Sequence, residues 1–186
     1  MDKIKVCKSC LMPNSRPRVS FNKDDICNAC IYIANKKKID WIEREKEFND
    51  ICNQHRSNNG NYDCIVPWSG GKDSSSIAHK LKFKYRMNPL LVTFSPLIPS
   101  KIGYINREKL INCGLDNYFF SPNGDVSSYL AQRFFIERGN PKVAWDAGVN
   151  ALPVHVAIEK NIKLVFFAEH GESEYGGNVL KKDSDK

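Results

Sequence analysis

The sequence predicts an α/β fold: a parallel sheet with helices on both faces, preceded by a small four-cysteine zinc knuckle. Three observations carry this expectation. From residue 62 onward, short apolar runs alternate with segments of helical periodicity. A Gly-rich polar turn joins the first such run to the first such helix, and two Cys-x2-Cys pairs lie near the N-terminus.

Residues 1–33 read as the knuckle. Cys7-x2-Cys10 is followed by Cys27-x2-Cys30, with sixteen residues between Cys10 and Cys27, a spacing expected of a four-cysteine zinc site. Two close pairs of thiolates can wrap a tetrahedral ion, and closed four-sulfur coordination leaves no position for a substrate, so the metal is expected to be structural. Zinc is the first choice, and a donor set of four sulfurs alone also admits iron. Pro13, Arg16, Pro17 and Arg18 mark irregular backbone between the pairs. The chain shows seven cysteines and no apolar signal segment, which predicts a reducing cytoplasm where metal binding is favoured over disulfides. Cys52, Cys64 and Cys113 are then expected to be small buried hydrophobes.

Residues 34–61 read as a helix and linker. Asp40 is placed to cap a helix whose Trp41, Phe48, Ile51 and Cys52 fall near one face, and the polar run at 56–61 breaks it. The main domain is expected to begin at residue 62. Its strands are predicted at 64–66, 90–94, 118–120 and 164–168, and its helices near 74–85, 104–113, 126–138 and 150–160. Such alternation implies right-handed crossovers and a ligand site beyond the carboxyl ends of the strands.

The turn after the first strand is Trp68-Ser69-Gly70-Gly71-Lys72-Asp73-Ser74-Ser75. Adjacent glycines let backbone N–H groups close around an anion, and the helix N-terminus adds unpaired donors and a positive dipole end. Lys72 contributes a cation, and Ser69, Ser74 and Ser75 contribute hydroxyls. The segment is not a Walker A loop, because Asp73 stands where Ser or Thr is required and the leading glycine is absent at Val66. An ordinary tight turn into a helix capped by Asp73 or Ser74 is the plain alternative.

The last predicted strand runs into a polar stretch at 169–177. If that strand lies beside the first, Glu169 and Glu174 face the Gly-rich turn, where they would hold Mg²⁺ or orient an amine. Three other residues are weaker candidates: Asp146 reads as a helix cap, His155 as a core histidine, and His170 as the histidine nearest the cleft. His79 is expected to be solvated. A formal net charge of +7 would allow a nucleic-acid partner, but the basic residues are scattered apart from Lys36-Lys37-Lys38. Anionic nucleotides or sugar nucleotides explain the excess equally well, so no nucleic-acid partner is expected. No run reaches transmembrane length, so no membrane partner is expected.

The pattern Ser-Gly-Gly-x-Asp-Ser resembles the PP-loop of the N-type ATP pyrophosphatases, whose fold is adenine nucleotide alpha-hydrolase-like and which split ATP into AMP and pyrophosphate. The ensemble resembles the N-terminal part of the N-acetyl sugar amidotransferases, bacterial enzymes of surface-polysaccharide (lipopolysaccharide, O-antigen) biosynthesis. The likeness runs through Cys7-x2-Cys10-Leu11-Met12-Pro13, Arg16-Pro17, Cys27-x2-Cys30, Asp40-Trp41, Tyr62-Asp63-Cys64-Ile65, residues 69–74, Asn88-Pro89-Leu90-Leu91-Val92-Thr93 and Glu174-Tyr175-Gly176-Gly177. It implies an ATP-, Mg²⁺- and Zn²⁺-dependent enzyme that converts the N-acetyl group of a sugar or sugar nucleotide to an acetamidino group. Ser69, Gly70, Gly71, Ser74 and Ser75 would bind pyrophosphate, Lys72 would offset its charge, Asp73 would cap the loop or reach Mg²⁺, and Glu169 and Glu174 would complete the catalytic set. Ammonia would come from a separate glutaminase working with a cyclase-like subunit. Members of the family continue past the Glu-Tyr-Gly-Gly stretch, so the domain at 62–186 is expected to be truncated and to associate with a C-terminal portion of the same enzyme. Two other readings stay open: a PP-loop tRNA-thiolation enzyme, and a nucleotide-binding protein without full activity.

Overall fold

The computed structural model describes residues 3–169. The chain divides into two compact units, one containing the four N-terminal cysteines and reaching Lys46, the other Glu47–Ala168. In the first unit, irregular backbone is held by two isolated antiparallel bridges, Val6 to Pro13 and Phe21 to Cys27. Helix α1 (Asn28–Lys36) follows directly from Cys27. Helix α2 (Trp41–Gln54) starts where the sequence places it, because Asp40 Oδ1 accepts from the N–H groups of Ile42 (3.0 Å) and Glu43 (3.1 Å). It runs on into the second unit.

The second unit is a three-stranded parallel sheet in the order β1 (Cys64–Pro67), β2 (Pro89–Phe94), β3 (Asp116–Phe120). Ile65 lies opposite Leu90, and Leu90 opposite Asp116. The crossovers are α3 (Lys72–Phe83) and α4 (Lys101–Asn112); α5 (Gly124–Arg138) and α6 (Val143–Glu159) follow β3. Alternation along the strands builds two apolar layers. Cys64, Val66 and Leu91 pack on one face with Ala78 and Leu81 of α3, Cys52 and Phe48 of α2, and Leu110 of α4. Ile65, Leu90 and Val92 pack on the other with Val156 and Ala157 of α6. Helices thus cover both faces.

The segment predicted as a strand at 164–168 is narrower than expected. It joins the free edge of β1 by a single parallel bridge, Ile65 to Val165, in which Ile65 N–H donates to Leu164 O (2.9 Å) and Phe166 N–H to Ile65 O (2.8 Å). Leu164 and Phe166 pack against one apolar layer and Val165 against the other, but Phe167 is 51% exposed and the pairing goes no further. Even this short contact leaves β1 flanked on both edges.

Helix α6 begins at Val143, seven residues ahead of the predicted start, and carries Pro153 buried in its interior. Asp146 therefore lies inside the first turn and does not cap the helix. Its N–H donates to Lys142 O (2.7 Å) and its carboxylate pairs with Lys142 Nζ at 3.6 Å. His155 is exposed and not a core residue, because the buried stripe of α6 runs through Pro153, Val156 and Ala157. Cys113 caps the end of α4 and is likewise exposed, whereas Cys52 and Cys64 are buried as expected. His79 is exposed against Phe83, with ring centroids 4.5 Å apart.

Gly148 sets how closely α6 approaches the sheet. A Cβ there would stand 2.5 Å from the ring of Phe94, at the carboxyl end of β2. Gly148→Ala is expected to displace that ring and lower unfolding free energy by about 1–3 kcal/mol, measured by denaturant titration against Gly124→Ala, where the same methyl meets open space.

Candidate functional site

β1 ends at Pro67, and the next residue decides the course of the chain. Trp68 is buried; its N–H donates to Val92 O (2.8 Å), its carbonyl accepts from Thr93 Oγ1 (2.9 Å), and its indole Nε1 donates to Ser75 Oγ in α3 (2.9 Å). Gly70 then turns the backbone with φ +81°, and Gly71 (φ −77°, ψ 168°) forms the N-cap of α3. A glycine N-cap has no side chain to bond the first turn, and none caps α3 from that position.

The hydroxyls hold the turn's shape. Ser69 Oγ accepts from Gly71 N–H (3.2 Å) and lies 3.4 Å from Ser74 Oγ, which accepts from Ser69 N–H at the same distance. A Cβ on Gly71 would come within 3.1 Å of Ser69 Oγ. On the outer side, Asn106 Nδ2 of α4 donates to Gly70 O (3.3 Å). Ser69, Gly70, Gly71, Ser74 and Ser75 are therefore brought together in one strand-to-helix turn. Lys72 and Asp73 stand in the first turn of α3, and the Lys72 ammonium bonds the Asp73 carboxylate at 2.6 and 2.8 Å. The two charges sit at the mouth of the turn, with the Lys72 side chain 88% exposed. Glu169 is exposed, whereas Glu174, His170 and the rest of 170–177 lie outside the described residues.

Beside the turn is a cavity of about 160 Å³ with an apolar wall that includes Trp68, Pro96, Ile98 and Tyr104, and with Ser69, Gly70, Thr93 and Arg107 among its polar lining. It opens at the carboxyl ends of β1 and β2, the position expected for a ligand in a parallel sheet. Its polar wall is a relay. Thr93 Oγ1, buried, accepts from Asn117 Nδ2 (3.0 Å), which also donates to Leu91 O (3.3 Å), and Asn117 Oδ1 accepts from Arg107 Nε (3.2 Å). Sequence reasoning gave no site role to Trp68, Thr93, Asn106, Arg107 or Asn117. The available signal was polarity in the wrong place: Thr93 closes a buried apolar run, and Asn117 lies inside a strand.

In the first unit, Sγ atoms of Cys7, Cys10, Cys27 and Cys30 lie within 4.8 Å of one another. Cys7 and Cys30 are 3.9 Å apart and Cys10 and Cys27 3.6 Å apart. A tetrahedral ion with Zn–S bonds of about 2.3 Å requires sulfur separations of about 3.8 Å, so this set fits a metal such as zinc. The sequence folds this way because each pair closes a tight turn: Leu11 N–H returns to Cys7 O (2.9 Å), and Ile31 N–H to Cys27 O (3.1 Å) as α1 begins. Asp25 ties the two turns through Lys5 and Lys8. Burial opposes ionisation of the Cys7 thiol, but N–H groups of Cys27, Cys10 and Ser9 outweigh it and bring it down to about 6. Cys10 receives the N–H of Met12, yet the neighbouring sulfurs of Cys30, Cys27 and Cys7 prevail and push it up. One sulfur is thus ready to bind as thiolate, and the crowding that holds Cys10 protonated is what a cation would relieve.

No protein-family model matches the chain. It is 30% identical over 87 residues to an uncharacterized protein of Methanocaldococcus jannaschii; the match covers 46% of this chain and 31% of that relative. The chain thus covers less than two thirds of the relative's length.

Elemental analysis of the purified chain is expected to give about one zinc per chain, with Cys27→Ser losing the metal and lowering the melting temperature; no metal, or stoichiometric iron, would exclude zinc. Gly70→Val is expected to cost about 1–2 kcal/mol through backbone strain alone, since nothing lies within 4 Å of its Cβ position; an unchanged midpoint in denaturant would show that the turn relaxes freely.

Proposed function

We propose that the chain is the N-terminal, nucleotide-binding part of an ATP-dependent amidotransferase that converts the N-acetyl group of a sugar or sugar nucleotide into an acetamidino group. The observation that carries this reading is the turn at 69–75. A parallel strand flanked on both edges delivers Ser-Gly-Gly-x-Asp-Ser into a helix N-terminus that no side chain caps, beside a cavity at the carboxyl end of the sheet. The order of 164–166, β1, β2 and β3 supports a PP-loop fold, and the cysteine cluster supports the same family likeness.

The chemistry asks mainly for positioning. An amide carbonyl resists ammonia because its oxygen leaves poorly. In the proposed reaction the carbonyl oxygen attacks the α-phosphorus of ATP and pyrophosphate departs, leaving an O-adenylyl imidate. Ammonia adds to the imidate carbon, AMP leaves with the oxygen, and a proton from the added nitrogen is released. Residues 69–75 would hold the pyrophosphate by N–H and hydroxyl groups, and Lys72 would turn from Asp73 toward it, freeing the carboxylate for Mg²⁺. Mg²⁺ supplies charge neutralisation on the polyphosphate when bound. Zinc in the cysteine cluster would be structural, and the ammonia would come from a partner glutaminase with its cyclase-like subunit. Placement in polysaccharide biosynthesis, and in the cytoplasm, follows from the same likeness.

Sulfur transfer to tRNA is the weaker reading. It needs thiols in the catalytic domain, and Cys64 is buried under the sheet with its thiol pushed up to about 12, chiefly by burial, while Cys113 is exposed at the end of α4.

The test is formation of AMP from ATP, with Mg²⁺, ammonium and an N-acetylated sugar nucleotide, by the chain alone and mixed with a C-terminal portion from the family. Sugar- and ammonia-dependent AMP is expected from the mixture, with Lys72→Ala lowering the rate at least about 100-fold. ATP binding without such turnover in either sample would favour a binding protein.

A further inference from the structure

Arg107 is held by two contacts and used by none of the chemistry above. Its Nε donates to Asn117 Oδ1 (3.2 Å), its guanidinium lies over the Phe119 ring with the Cζ atom 4.6 Å from the centroid, and it is half-buried in the wall of the cavity that Ser69 and Gly70 also line. Among the described residues its two terminal amino groups have no hydrogen-bond partner and no carboxylate within ion-pair distance. The helix that carries it is tied to the turn at the adjacent position, through Asn106 and Gly70 O. Stacking and the Nε bond fix the plane of the fork while leaving its outer edge to a ligand, which is how arginine is set up for bidentate recognition of an oxyanion.

We propose that Arg107 is an oxyanion-binding residue of this cavity, contacting a phosphate or carboxylate that the turn at 69–75 does not itself hold. The Thr93 and Asn117 relay places the guanidinium by anchoring it to β3 and β2, and Thr93 Oγ1 carries the chain of hydrogen bonds on to Trp68 O at the start of the turn, so its position is coupled to that of the turn. The proposal rests on the reading of turn and cavity as one substrate site. Two sources carry the required chemistry: a phosphate of the nucleotide, or the anionic group of the sugar substrate.

Calorimetric titration of the full chain separates them. The probes are Mg-ATP, adenosine and N-acetylglucosamine 1-phosphate, each against the wild type, Arg107→Gln and Arg107→Lys. Arg107→Gln is expected to weaken an oxyanion-bearing probe at least about ten-fold, with adenosine affinity and melting temperature unchanged and partial recovery in Arg107→Lys. Loss confined to ATP assigns the oxyanion to the nucleotide, and loss confined to the sugar phosphate assigns it to the second substrate. Unchanged affinity for both anionic probes, or an equal loss for adenosine, overturns the proposal. If the wild type binds sugar phosphate but no ATP, the nucleotide reading fails while the role of Arg107 stands or falls on the sugar phosphate alone; if it binds no probe, both are overturned.

Discussion

Where β1 ends, the backbone has to leave the sheet without abandoning its hydrogen bonds, and Trp68 is the residue that resolves this. Its N–H and its carbonyl are both taken by β2, one by the Val92 carbonyl and the other by the Thr93 hydroxyl, while its indole reaches into α3. Strand and helix are therefore fixed to each other on either side of Gly70, and the left-handed turn between them has little freedom left. A Gly-rich sequence by itself favours an ensemble of loops. Here the neighbours select one member, and the entropy of ordering the turn is met at folding.

Cysteine shows how environment divides one residue type among different tasks. Cys7, Cys10, Cys27 and Cys30 converge because tight turns and the start of α1 place four sulfurs at tetrahedral spacing. Cys52 and Cys64 share one layer of the core, where burial raises both thiols and makes them packing atoms. Cys113 caps a helix in solvent. Pair spacing in the sequence identified the first group; the other three differ only in the burial of their elements, which spacing does not encode.

The parts of this fold legible in the sequence are those that local chemistry decides. The Asp40 cap, the three apolar strands and the glycine turn each depend on residues within a few positions of one another, and each stands close to where periodicity places it. Tertiary contacts decide the rest. Helix α6 starts early because Gly148 lets it lie against Phe94, a partner far away in the sequence, and a proline within it masks the apolar stripe. The fourth strand shrinks to one bridge: Leu164 and Phe166 reach one apolar layer and Val165 the other, but Phe167 is already exposed and, among the described residues, nothing continues the pairing beyond it. The cavity wall is the least legible part, since Thr93, Arg107 and Asn117 come from three elements and share no local pattern.

Those three residues belong to a wider rule of this sheet, in which polar side chains inside or beside buried strands mark its two ends. At the amino end Asp63, buried, accepts from the N–H groups of Ser57 and Asn88, each at 2.6 Å, and returns its own N–H to Asn88 O. At the carboxyl end Thr93 and Asn117 do the equivalent for Trp68 and Leu91. Among the described residues no buried side-chain polar atom lacks a partner, so each of these groups has recovered the hydrogen bonds that burial would otherwise cost. The two ends are nonetheless unequal. Asp63 is consumed entirely by backbone and fixes register, whereas the relay at the carboxyl end terminates in a guanidinium whose outer edge is left over. A polar network that closes on itself supports a fold; one that ends in an unused donor fork points outward, and in this chain it does so at the end of the sheet where the glycine turn opens.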